Sequence, residues 1–147
     1  MAVVPNRDTS ASVLASTGCW WYFVMSGWLC DSATAGAPNA YMAITAAQGG
    51  TFQYRSVAGT NTATPAFVTT IGGQPVAAPY YVKLVRVGNT YTGYVSKTSK
   101  TGPWTAVGSP TTLNNIGSTA LVGLAVTSHD ATKSVQSVFS EVTITQP

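Results

Sequence analysis

The sequence predicts an all-β protein, an antiparallel β-sandwich in a single domain, on three observations. Helical periodicity is almost absent, because charged pairs four residues apart are missing and β-branched residues or glycine interrupt every candidate window. Short runs rich in Val, Ile, Thr, Tyr and Phe recur instead, at the spacing of a sandwich or barrel. Turn signals punctuate those runs. The clearest is Gly88-Asn89, two residues that tolerate the positive φ of a tight hairpin. A chain of 147 residues is also long enough to bury one substantial core without metals or many crosslinks.

The elements follow in order. Residues 1–30 hold only Arg7 and Asp8 as charges and end in an apolar run, Trp20 to Leu29, that reads as an edge strand. Residues 41–45 and 51–56 form a strand pair around a turn at Gln48-Gly49-Gly50. Residues 57–79 are a long Thr, Gly, Pro and Ala connection, with a short strand over 66–71. Residues 80–87 and 90–97 flank the Gly88-Asn89 turn. A second turn at 98–103 leads into a strand at 104–107. The last pair, 121–128 and 135–145, is joined by His129-Asp130-Ala131-Thr132. No repeat or linker divides the chain.

Charge excludes several functions. Only 7% of residues are charged, against a norm of about 25%, which rules out a coiled coil and a charge-rich disordered tail. The net charge of +3 and isoelectric point near 9.0 come from seven scattered basic residues. No cluster could neutralise several phosphates at once, so nucleic acid is not an expected partner. The ten-residue apolar run is half of the roughly 20 residues that a membrane span needs, and no signal-peptide pattern precedes it. A polar, uncharged, Thr-rich β-protein fits an extracellular or virion-surface setting.

Three segments taken together carry a resemblance. The first is Ala40-Tyr41-Met42-Ala43-Ile44-Thr45 followed by Thr51-Phe52-Gln53-Tyr54-Arg55-Ser56. The second runs from Tyr80 through Ser96 and on to Trp104; the third pairs Val122–His129 with Phe139–Ile144. In this order they resemble the concanavalin-like (laminin-G-like) jelly-roll modules appended to secreted bacterial glycoside hydrolases and surface proteins. The resemblance covers about residues 31–147 and implies a jelly-roll sandwich that works as an accessory module. Residues 1–30 depart from the family pattern. Trp104, after Gly102-Pro103, matches it and reads as a core plug beside a turn.

Alternation sorts the strands into two faces. Phe52, Tyr54, Val82, Leu84, Tyr91, Val95, Val122, Leu124 and Val126 form the expected core. Gln53, Arg55, Tyr81, Lys83 and Tyr94 form the opposite face, with His129 at its end. Aromatic rings beside amide and guanidinium groups suit a sugar, whose C–H faces stack and whose hydroxyls pair with fixed donors. The alternative is an ordinary solvated sheet face with Tyr present for β-propensity. Trp20, Trp21 and Trp28 are either buried in a central strand or exposed as a patch for a partner.

Cys19 and Cys30 are eleven positions apart and admit a hairpin disulfide or two buried free thiols; the disulfide is the expectation adopted. Catalysis is not expected. The four acids, Asp8, Asp31, Asp130 and Glu141, pair by no motif, whereas glycosidases need two carboxylates across one bond. One His and two Cys make no metal site by spacing, and no cofactor is expected. Two functions remain. One is a non-catalytic carbohydrate-binding or adhesive module with a glycan or polysaccharide as partner. The other is a structural assembly protein, a virion decoration, capsid or filament subunit, forming a homo-oligomer through residues 1–30.

Overall fold

The computed structural model describes the backbone of residues 2–4, 9–17, 25–31 and 64–65, and residues 36–63, 66–117, 120–128 and 132–145 with their side chains. Among these residues there is no helix, and thirteen strands pair antiparallel. The N-terminal part supplies β1 (Ala2–Val4), β2 (Thr9–Thr17) and β3 (Met25–Asp31). Next come β4 (Asn39–Thr45), β5 (Gly49–Arg55) and β6 (Ala63–Val68). A small ribbon, β7 (Thr70–Ile71) with β8 (Gln74–Pro75), follows. The rest are β9 (Tyr80–Val87), β10 (Thr90–Ser96), β11 (Thr105–Thr112), β12 (Ala120–Thr127) and β13 (Ser137–Thr145).

Two sheets make the sandwich. Sheet one has the order β1-β12-β3-β4-β5-β6 and sheet two the order β11-β10-β9-β2-β13. The Gly88-Asn89 hairpin forms as the sequence predicts, with Val87 opposite Thr90 and Gly88 at φ 58°. The 46–48 turn, by contrast, precedes the predicted Gln48-Gly49-Gly50, because Gly49 and Gly50 already belong to the β5 ladder.

The core lies between the sheets. Ala40, Met42, Ile44 and Phe52 from sheet one meet Val82, Leu84, Tyr91, Val95 and Val107 from sheet two. Leu113, Ile116 and Val76 close it from the connections. Gly50 and Gly93 allow the sheets to approach: a Cβ on Gly50 would fall 2.7 Å from Val95 Cγ1, and one on Gly93 would fall 2.6 Å from Met42 Sδ. Arg86 is the charged member of the inward row of β9. It is 5% exposed. Its Nε donates to the Gly88 carbonyl and its Nη2 to the Gly117 carbonyl, both at 2.8 Å, and its guanidinium lies over the Tyr91 ring.

Three expectations are corrected. The strand within the Trp20 to Leu29 run is not an edge: β3 lies between β12 and β4, and β2 between β9 and β13, while β1 is the N-terminal strand at an edge, beside β12. Both backbone edges of β2 and β3 are therefore paired inside the chain. Leu124 and Val126 are 41% and 45% exposed although predicted as core. Their alternation is right, but the core cluster ends on β12 at Val122, which is also where pairing with β1 ends. Trp104 is half-buried outside the core, against Lys83.

Candidate functional site

Alternation within a strand tells which residues share a face, but not which sheet the strand joins. The predicted sugar face is divided for that reason. Gln53 and Arg55 stand on β5 in sheet one, while Tyr81, Lys83 and Tyr94 stand on β9 and β10 in sheet two. They occupy the opposite outer surfaces of the sandwich and cannot contact one ligand. His129, Trp20, Trp21 and Cys19 lie outside the described residues. Trp28 and Cys30 sit on β3, in register with Met42 and Ala40 of β4.

On the outer surface of sheet two, Lys83 and Tyr81 have partners of their own. Lys83 Nζ lies 4.3 Å from the Trp104 ring centroid and 4.8 Å from that of Tyr94. Partial burial pushes the Lys83 ammonium below its ordinary pKa. The Tyr81 hydroxyl donates to Glu141 Oε1 at 2.9 Å, and Lys100 Nζ is 3.9 Å from Glu141 Oε2. That hydrogen bond holds the Tyr81 phenol above its ordinary pKa. Glu141 reaches this position from a β-bulge between Ser140 and Thr143, with φ at 55°, and a bulge re-aims the side chain it carries.

The outer surface of sheet one is different. Its rows are set by register: Asn39 opposite Arg55, Tyr41 opposite Gln53, Ala43 opposite Thr51. Tyr41 is the large side chain here, 8% exposed. It reaches across β3 to β12, where its hydroxyl donates to the Ala125 carbonyl at 3.0 Å. Burial pushes the Tyr41 phenol far above its ordinary pKa, so it stays protonated throughout the physiological range.

A hollow of about 190 Å³ opens beside this ring, lined by Asn39, Tyr41, Gln53, Thr62, Ala125, Val126 and Thr127. It is smaller than the roughly 300–1,000 Å³ of pockets for drug-sized ligands. That suits one small ring rather than an extended molecule. The Gln53 carboxamide is half-buried and has no hydrogen-bond partner among the described residues. Asn39 Nδ2 donates to the Ala37 carbonyl at 3.3 Å, a geometry that leaves its Oδ1 to accept. Thr62 Oγ1 accepts from Arg55 Nη2 at 3.3 Å. Donors and acceptors therefore converge on an otherwise apolar hollow.

Of the lining residues, Gln53 alone belongs to the predicted ligand set. Asn39, Tyr41 and Thr62 were absent from it. The signal for the first two is the second alternation within 39–45, where Asn39, Tyr41, Ala43 and Thr45 interleave with the core residues Ala40, Met42 and Ile44. Ala125 could not be found this way, because it joins the site from a strand 84 positions beyond Tyr41.

No family model and no curated protein matches the sequence. Solved structures match in fold. A functionally unknown protein from Saccharomyces cerevisiae superposes with a TM-score of 0.67 at 14% identity, over 99% of this chain and 72% of its own. The GH43 protein BlXynB from Bacillus licheniformis, as a point mutant, gives 0.71 at 15% identity over 96% of this chain. A xylan beta-1,4-xylosidase from Bacillus halodurans gives 0.62 at 17% identity over 90% of this chain. This chain spans 28% and 26% of those two Bacillus chains. The shared property is an all-β sandwich; identities this low speak for the fold alone.

Proposed function

We propose that the protein is a non-catalytic carbohydrate-binding β-sandwich module, and that the hollow on sheet one holds one sugar ring. The observation that carries this reading is the uncommitted Gln53 amide, set beside the Tyr41 ring and the Asn39 and Thr62 side chains. A sugar hydroxyl both donates and accepts, and a primary amide answers both needs. Ala125 offers apolar surface to the C–H face of a ring. Two structural neighbours are named as a GH43 protein and a xylan beta-1,4-xylosidase, so xylan-type saccharides head the panel to be tried. The non-catalytic part is supported by the sequence, in which the four acids pair by no motif that would set two carboxylates across one bond. An accessory role of the jelly-roll kind, in an extracellular setting, follows from the same reading.

Affinity electrophoresis through gels containing xylan, glucan, mannan and pectin tests the proposal. Retardation by at least one polymer, lost in Gln53→Ala with the melting temperature unchanged, is the expected result. Equal retardation of wild type and variant, or none by any polymer, contradicts it.

A second reading, a structural subunit of a virion, capsid or filament, is favoured by one other observation. Leu124, Val126, Val138, Val142 and Ile144 are all large, apolar and at least 37% exposed on β12 and β13. Under that reading copies associate through β12 and β13, beside the residues 1–30 expected from the sequence. Light scattering at micromolar concentration distinguishes the two: a stable oligomer supports assembly, and a monomer leaves the binding module.

A further inference from the structure

We infer that the saccharide taken by the hollow is acidic, with a ring carboxylate that pairs with Arg55. The inference rests on the carbohydrate reading above and adds the ligand's charge to it. Arg55 is half-buried at the rim: it faces Asn39 across the ladder and follows Gln53 by two residues on the same outward row. Its Nη1 donates to the Ala37 carbonyl at 3.2 Å and its Nη2 to Thr62 Oγ1 at 3.3 Å. Thr62 itself lines the hollow. Both acceptors are neutral, so the cation is anchored and, among the described side chains, its charge has no acidic partner.

The remaining donors point to the same conclusion. Arg55 Nε is buried with no hydrogen-bond partner, and the guanidinium has further N–H groups beyond the two it uses. Glu141, the acid whose side chain is described, is engaged by Tyr81 and Lys100 on the opposite sheet. Asp31 stands in the same row as Arg55, two strands away through Asn39, a backbone spacing of roughly 10 Å. A planar guanidinium fixed in place at a rim is the group that recognises carboxylate with two parallel hydrogen bonds. The chain's net charge of +3 adds a weaker attraction for a polyanion. Neutral sugars would fill the same hollow and leave this cation unpaired.

The test uses oligogalacturonate and oligoglucuronate against their carboxyl-reduced counterparts, which keep the stereochemistry and lose the charge. Calorimetric titration of the wild-type protein should show at least one acid bound about tenfold or more tighter than its reduced form. That margin should shrink as salt is raised. Arg55→Gln should bring the acid and the reduced form to equal affinity. Because Arg55 also ties down Ala37 and Thr62, Arg55→Lys is the second variant, and it should keep part of the preference. Equal binding of the acid and its reduced form by wild type, or binding of neutral sugars alone, overturns the acidic ligand and leaves the carbohydrate module standing. Binding of neither acidic nor neutral saccharides overturns both.

Discussion

Tyr41 carries most of the physical chemistry of the hollow, and its removal can be predicted at the level of one atom. Tyr41→Phe deletes the hydrogen bond to the Ala125 carbonyl and leaves that acceptor unanswered. The expected cost is about 1 kcal/mol, or roughly 2–4 °C in melting temperature for a chain of this size. The pH dependence has a definite sign. The folded-state pKa lies above the ordinary phenol value near 10, so the unfolded chain gives up this proton first as the solution becomes alkaline. The stability that depends on it is intact below about pH 10 and is lost as pH rises beyond that value. Denaturant melts of wild type and Tyr41→Phe from neutral to strongly alkaline pH should therefore converge as pH rises. Parallel curves would mean that the phenol titrates as if in water. Arg86 gives a larger effect. Arg86→Ala removes two short hydrogen bonds, one within the β9–β10 hairpin to Gly88 and one from it to Gly117 of the 113–117 connection, and strips the cover from Tyr91. A loss of about 3 kcal/mol is expected, since each is a charge-assisted bond to a carbonyl left behind. A melting point within two degrees of wild type, measured calorimetrically, would refute that anchoring role.

At the scale of elements, the close approach of the sheets rests on missing side chains. Gly50→Ala places a methyl group against Val95 and Val68, both β-branched and fixed at χ1, so neither can swing away. The expected cost is about 1–3 kcal/mol of stability in chemical denaturation, with the slope unchanged. No loss would show that the sheets can separate locally at that point. The same scale explains what the sequence disclosed. The β9–β10 hairpin was legible to the residue, because Gly88-Asn89 sits between strands whose large inward residues, Val82, Leu84, Tyr91 and Val95, alternate plainly. β2 was not legible. Its residues, TSASVLAST, are nearly all small, so alternation leaves no contrast in size or polarity, and its place between β9 and β13 is decided by pairing alone. The β13 bulge was hidden too, since no glycine marks the positive φ at Glu141.

At the scale of the molecule, the fold class was readable and the site was not, for one physical reason. A strand's own periodicity divides its residues between two faces, but membership of a sheet depends on partners far along the chain. Gln53 and Arg55 were rightly assigned to an outward face, and so were Tyr81, Lys83 and Tyr94; only the topology shows that these are two surfaces. One surface pairs its cation with its own rings and its acid with its own tyrosine. The other leaves an amide without a partner among the described residues, and a guanidinium held by neutral acceptors, beside a hollow. The central claim is that ligand binding belongs to the second. Amide chemical-shift mapping of the isotope-labelled protein, titrated with a saccharide that it retains in gels, tests this most directly. The account predicts the largest shifts at Tyr41, Gln53, Thr62 and Ala125, with Tyr81, Lys83 and Tyr94 unmoved. Shifts centred on Tyr81, Lys83 and Tyr94, with Gln53 and Ala125 silent, would contradict it.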